Sequence, residues 1–451
     1  MSELIARALE GATDTKAVLA GAGVLDEVPA LFAEQFDSRS AVVVGDERTM
    51  AAAGDRVVAL LREAGVDVLT HVFPGDPELY AKYENCEVLR DALRPLPGVP
   101  VGVGAGTLND ILKRACGELG RPYMIVGTAA SMDGYTAFGS SIALDGFKQT
   151  LSCPAPQVCV ADLDVMAAAP GRMTASGYGD LLGKVPAGAD WILADALGIE
   201  PIDQVVWDLV QGPLKQALAR PADLAIGDVG AIGELAEGLV MSGLAMQAHQ
   251  SSRPASGAEH QFSHLWEMEG HGVDDVPRLS HGAKVGVGSV AIAAFYEVLL
   301  DMDLSALDID AAVAVWPTRE AMEAQVRSLH PDARLVEETV VQALAKWITP
   351  EALRERLTLL GSKWDELVPR LRAQLLPASE LQERLRAVGA PAHPVDIGLD
   401  WERFRETYVR AQMIRKRYTV LDVALEAGLL GGIVDRLFAV DGFWGRQGQE
   451  A

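Results

Sequence analysis

The chain has 451 residues, enough for two or three domains and for a core that needs no disulfides. Its 49% apolar and 23% charged residues exclude a low-complexity, collagen-like or disordered chain. With 39 basic and 63 acidic side chains the formal charge is −24, which repels nucleic acid and anionic membranes and obliges any phosphate site to gather local positive groups.

The opening MSELIARALEGATDTK has no cationic start followed by an apolar core and is not expected to be a signal peptide. Residues 41–45 (AVVVG) form a short β-branched run, as a buried strand requires. Residues 47–64 place Ala, Val and Leu at helical spacing, and residues 66–73 (VDVLTHVF) return to strand. Helix is expected over 77–93, strand over 99–103, helix over 107–119 and strand over 123–126. This alternation predicts a Rossmann-like α/β domain over 1–170, with a parallel sheet covered by helices.

From about residue 170 strand signals nearly vanish. Helical runs are expected at 189–198, 203–219, 222–249, 280–300, 317–329, 333–347, 350–375 and 401–438, punctuated by Pro and Gly. They predict an all-α domain over 171–451, closed by a disordered tail at 445–451. The longest apolar stretch, 285–300, is interrupted by Glu297 and too short to span a bilayer, so it is read as a buried helix. Cys86, Cys116, Cys153 and Cys159 form no Cys-x-x-Cys pair, which fits reduced thiols in a soluble, cytoplasmic protein rather than a zinc ribbon.

Two patterns carry chemistry. Gly102-Val-Gly104-Ala-Gly106 ends a strand and opens a helix, where glycines admit a pyrophosphate and backbone N–H groups face it. The spacing is not the full dinucleotide fingerprint, so a plain strand-to-helix turn stays open. A second polar loop, Thr128-Ala129-Ala130-Ser131, leaves the next strand, and Thr107 or Asn109 could cap the helix or bond a phosphate. Asp46 and Asp76 are possible nucleotide contacts, but each is better suited to cap the following helix. Five of the eight histidines lie at 249, 260, 264, 271 and 281, and His260 and His264 share one helix face. Imidazoles with a carboxylate suit a borderline divalent metal, but spacing selects neither the ligands nor the carboxylate. There is no nucleophile elbow and no Walker A loop.

The segments TAASMDGYTAFGSSI (128–142), SGYGDLLGK (176–184) with Asp190-Trp191 behind it, SSRPASGAEHQFSH (251–264), HGAKVGVG (281–288) and IRKRYTVLDVALEAGLL (414–430) together resemble glycerol-1-phosphate dehydrogenases. The match is nearest the bacterial branch named after the arabinose operon, within the dehydroquinate synthase-like and iron-type alcohol dehydrogenase superfamily. The resemblance implies that Asp180, His260 and His281 hold one divalent metal (zinc, nickel or iron). It places substrate contacts at Asp133, Asp180 and His264, with Asp133 and His264 as catalytic candidates. It places NAD or NADP at Gly104, Ala105, Gly106, Thr107, Leu108, Thr128, Ala129, Ala130 and Ser131. Gly127 stands where the family has proline, a change expected to loosen the cofactor loop, and His271 matches no family block.

The activity implied is interconversion of dihydroxyacetone phosphate and sn-glycerol 1-phosphate by a metal-dependent, NAD(P)-linked enzyme, expected as a homodimer or higher homo-oligomer. Arg253, Lys148, Lys184 and Lys284 are the nearby cations that could meet the phosphate. One rival is a polyol dehydrogenase with an unphosphorylated substrate. Another is a sugar-phosphate cyclase, against which Asp180 argues, because cyclase relatives usually carry Glu there.

Overall fold

The computed structural model describes residues 3–144, 147–332 and 335–448. The strands are β1 (Ala17–Gly21), β2 (Ser40–Asp46), β3 (Asp67–Phe73), β4 (Val99–Gly104), β5 (Met124–Gly127), β6 (Ser140–Leu144), β7 (Phe147–Leu151) and β8 (Val158–Asp162). Six of them form one sheet in the order β1-β8-β5-β4-β2-β3, and every neighbouring pair runs parallel. The chain leaves β2 towards β3 on one side and β4 towards β5 on the other. The order therefore reverses between β2 and β4, the place where open α/β sheets leave a crevice at their carboxyl ends. Val43, Val101, Met124 and Val160 from the sheet pack with Val28, Phe32, Val57 and Leu61 in a fully buried core.

All four expected strands are present, and the sequence reading missed four more. β1 and β8 are five-residue runs too short to separate from buried helix by periodicity. β6 and β7 form an antiparallel hairpin beside the main sheet. The helix expected over 77–93 spans only Tyr83–Leu93. Ala81 instead accepts a backbone bond from Ala143 of the hairpin (2.8 Å), and Lys82 is extended. The capping reading of Asp46 holds, since its Oδ1 accepts from the backbone of Arg48 (2.8 Å) and Thr49 (3.0 Å).

Among the described residues every strand precedes residue 163, and helices follow. Those that matter for the site are α1 (Gly106–Leu119), α2 (Gly171–Leu182), α3 (Lys184–Ala196), α4 (Val229–His249), α5 (Ala258–Met268) and α6 (His281–Leu300). Two compact units result. One holds the residues up to Leu181 with Gln204–Pro254 and Ala387–Ala390, and the other holds Leu182–Asp203, Ala255–Arg386 and the chain from Pro391. α4 and α6 are long and apolar enough to cross a membrane, yet 72% and 89% of their apolar windows are buried, as core helices require.

The run expected as one helix over 401–438 is broken. Helices cover Trp401–Arg410, Val420–Glu426 and Leu430–Phe438, and a tight turn at Ala411–Met413 leads into an irregular segment. Asp422 Oδ2 accepts from Thr419 N (2.8 Å) and caps the restart. The tail expected to be disordered turns helical at Phe443–Gln447, because Trp444 buries its ring and donates to Tyr408 (2.9 Å). Residues 449–451 lie outside the described residues.

Candidate active site

α5 sets the geometry. Its N-terminal N–H groups need acceptors, and Asp190 on α3 supplies one, taking a bond from Ala258 N (2.7 Å). The other oxygen of Asp190 accepts from Tyr296 on α6 (2.6 Å) and from Val420 N (2.9 Å), so one buried carboxylate pins three helix segments. One face of α5 carries Phe262 and Trp266. Phe262 stands edge-on to Tyr408 at 4.9 Å, and Trp266 donates to Thr407 (3.0 Å). That anchors the apolar face and leaves His260, His264 and Glu267 as a stripe on the other, at spacings of four and three residues.

α6 opens on His281, with Ser280 Oγ capping Ala283 N (3.2 Å). The rings of His260 and His281 are 5.4 Å apart, and His264 lies 5.9 and 6.0 Å from them. Asp180 stands near the end of α2 and is fully buried. Ligand atoms of Asp180, His260 and His281 all lie within 4.8 Å of one another. That donor set, one carboxylate and two imidazoles, suits a divalent ion with an open coordination position.

Both imidazoles are oriented by carboxylates. His260 Nδ1 donates to Glu259 Oε1 (2.7 Å), which also accepts from Gly257 N (2.7 Å). His281 Nδ1 donates to Glu267 Oε1 (2.9 Å). Engaging Nδ1 leaves Nε2 of each ring as the atom that could ligate a metal, with its basicity raised. Asp180 Oδ2 accepts from Asp133 N (3.0 Å), and the Asp133 carboxylate accepts from Ser242 on α4 (2.9 Å). Burial, and then the charge of Arg415, hold the pKa of His264 well below the usual imidazole value.

The glycine-rich loop ends β4 and opens α1 without any side-chain cap, so the first N–H groups of the helix are available to a phosphate. A Cβ on Gly104 would stand 2.5 Å from Leu108 Cδ2, which is why that position is glycine. Asn109 is not a phosphate ligand: it is buried, and its amide donates to Gly134 O (3.1 Å). The loop at Thr128–Ser131 is joined to this one through Thr128 N and Gly104 O (3.1 Å). Tyr135 donates to Ala129 O (2.8 Å), Ser176 donates to Ser131 O (3.1 Å), and the Tyr135 ring fills the space beside Gly127. These bonds tie the loop to its neighbours at Thr128, Ala129 and Ser131. Lys113 reinforces the following turn, donating to the carbonyls of Gly134, Ala137 and Gly139 at 2.7 to 3.0 Å.

Of the cations expected near a phosphate, Arg253, Lys184 and Lys284 are buried and already engaged by neighbouring groups. The side chain of Lys148 lies outside the described residues. His271 is structural, its Nε2 donating to Ile397 O (2.6 Å). All four cysteines are free and buried. Sequence reasoning missed the roles of Asp190, Glu259 and Glu267; the adjacency of Glu259 to His260 was the only local signal.

Residues 19–170 match the family model described as iron-containing alcohol dehydrogenase. Over 433 residues the chain is 30% identical to the glycerol-1-phosphate dehydrogenase (NAD(P)+) of Bacillus licheniformis, covering 94% of this chain and 92% of the relative. A protein of the same name from Geobacillus thermodenitrificans is 29% identical over 87% of this chain and 88% of its own. Among solved structures, an iron-containing alcohol dehydrogenase from Corynebacterium glutamicum matches with a TM-score of 0.58 at 15% identity, covering 94% of this chain and 96% of that one; the likeness is one of fold.

Proposed function

The chain belongs to the glycerol-1-phosphate dehydrogenase family, and on that premise we propose that Asp180, His260 and His281 hold its metal while it interconverts dihydroxyacetone phosphate and sn-glycerol 1-phosphate. The convergence of these three ligand atoms within 4.8 Å carries the reading. A divalent ion there (zinc, nickel or ferrous iron) supplies a Lewis acid for the substrate carbonyl, and NAD(P)H supplies the hydride.

The protein's own groups do the rest. Asp180 balances part of the metal charge, and Glu259 and Glu267 keep both ligand imidazoles in one tautomer. His264, kept neutral beside them, can orient the substrate and hand a ring proton to the developing alkoxide while taking another from solvent. Asp133 steadies Asp180 through its backbone and is offered as a substrate contact. In this reading residues 1–170 bind the nucleotide, through Gly104–Leu108 and Thr128–Ser131, and residues 171–451 supply the metal and substrate groups. Buried free thiols and an acidic surface support a cytoplasmic location. The apolar helical half supports a homodimer or higher homo-oligomer.

The test is NADH and NADPH oxidation with dihydroxyacetone phosphate, after metal stripping and after restoring zinc, nickel or ferrous iron. Activity is expected to require metal and phosphate and to disappear in His260→Ala. The net charge of −24 favours an unphosphorylated polyol as the second reading. Turnover of dihydroxyacetone and keto sugars but not of the phosphate ester would establish it.

A further inference from the structure

A phosphorylated substrate of an enzyme this acidic needs a dedicated cation, and three of those expected from sequence, Arg253, Lys184 and Lys284, are buried with partners of their own. The break in the 401–438 run supplies another. Its irregular segment is laid along α5: Gln261 donates to Arg417 O (3.2 Å), and Arg417 donates to Ser256 O (2.9 Å). These two partners bracket His260 in sequence. Lys416 N donates to Gln342 (2.8 Å), and Lys346 ties Gln412 to Asp422, so the segment is held along its length.

Residues 401–419 contain five arginines. Arg403 and Arg410 pair with Glu269, Arg405 pairs with Asp435, and Arg417 bonds Ser256. Arg415 is partly buried and makes no hydrogen bond or ion pair among the described residues. Its charge is felt by His264, and Glu267 and Glu338 are within electrostatic reach without closing on it. A partly exposed guanidinium with no protein partner among the described residues keeps its planar set of donors available to an anionic ligand.

We propose that Arg415 receives the phosphate of the substrate, its planar fork gripping the dianion of a phosphomonoester whose carbonyl is held at the metal one imidazole away. The proposal rests on the glycerol-phosphate reading and names the residue that enforces it. In a three-carbon keto phosphate only one carbon and one oxygen separate the carbonyl carbon from phosphorus. The phosphate must therefore be met by a cation near the metal ligands, and Arg415 lies on the segment bonded to both sides of His260, with its charge felt at His264. Two parallel charge-assisted bonds select phosphate over hydroxyl, which a lysine point charge does less well.

The metal-loaded enzyme and its Arg415→Ala and Arg415→Lys variants decide the matter, assayed on dihydroxyacetone phosphate and on dihydroxyacetone. In Arg415→Ala the ratio of kcat/KM for the phosphorylated over the unphosphorylated ketone is expected to fall about 10- to 100-fold, chiefly through KM. Arg415→Lys should recover part of it, and guanidinium ion added to Arg415→Ala should restore turnover of the phosphate ester selectively. An unchanged ratio, or equal losses on both ketones, overturns the proposal and leaves Arg415 a support of its loop. Calorimetric titration with inorganic phosphate keeps the two readings separable. If the parent enzyme does not reduce dihydroxyacetone phosphate, the glycerol-phosphate reading fails. Weaker phosphate binding in Arg415→Ala would still sustain the anion site, and equal binding would remove it.

Discussion

Glu259 is fully buried, and its Oε2 has no hydrogen-bond partner. An acidic residue early in a helix is ordinarily a solvated partner of the helix dipole. Here it is enclosed because His260 Nδ1 and Gly257 N converge on its other oxygen. Glu267, two turns along α5, does the same for His281. Glu259→Gln and Glu267→Gln should each weaken metal affinity about 10- to 100-fold, measured by competition with a chelating dye. Affinity equal to that of the parent in both variants would show that the carboxylates do not orient the ligands. The sequence names His260 and His281 through their flanking motifs but says nothing of which ring nitrogen each offers, since the partner of His281 is 14 residues away.

α2 contains Gly171, Gly177 and Gly179, a composition that weakens a helix by propensity, and no helix was expected there. Packing overrides propensity. A Cβ on Gly177 would stand 2.0 Å from Ala130 O, so glycine lets the helix touch the backbone of the Thr128–Ser131 loop, the proposed cofactor loop. Gly177→Ala should push that loop away, weakening NADH binding and destabilising the fold by about 1–3 kcal/mol. Fluorescence titration of NADH alongside thermal unfolding checks both, and a variant that matches the parent in each would refute the close approach. Residues 411–419 make the converse case. Helical periodicity continues through them, but Thr419 and Asp422 cap a new start and Arg417 bonds Ser256 instead. That tertiary competition cannot be read from local pattern.

The three proposed metal ligands come from three helices and span about a hundred residues, from 180 to 281. An unfolded chain does not hold such atoms together, so metal binding stabilises the folded state alone. With free metal at about 100 times Kd the gain is about 2.7 kcal/mol. Scanning calorimetry should show an upward shift in Tm when zinc or nickel is restored to the stripped protein, and no such shift in His260→Ala. Equal shifts in both proteins would place the metal elsewhere.

Apolar alternation ahead of residue 170 and helical runs beyond it were enough to determine an α/β half followed by helices. The blocks around Asp180, His260 and His281 were enough to nominate a metal site. The first is a local signal, carried by spacings of a few residues; the second came from resemblance to a known family, because spacing alone singled out neither the histidines nor the carboxylate. The sheet order, the hub at Asp190, the carboxylates behind the histidines and an Arg415 with no hydrogen bond or ion pair among the described residues were decided only by the fold. Each depends on groups brought together by packing and burial: Asp190 meets Val420 across 230 positions, and a periodicity of two or 3.6 residues carries no record of such a meeting.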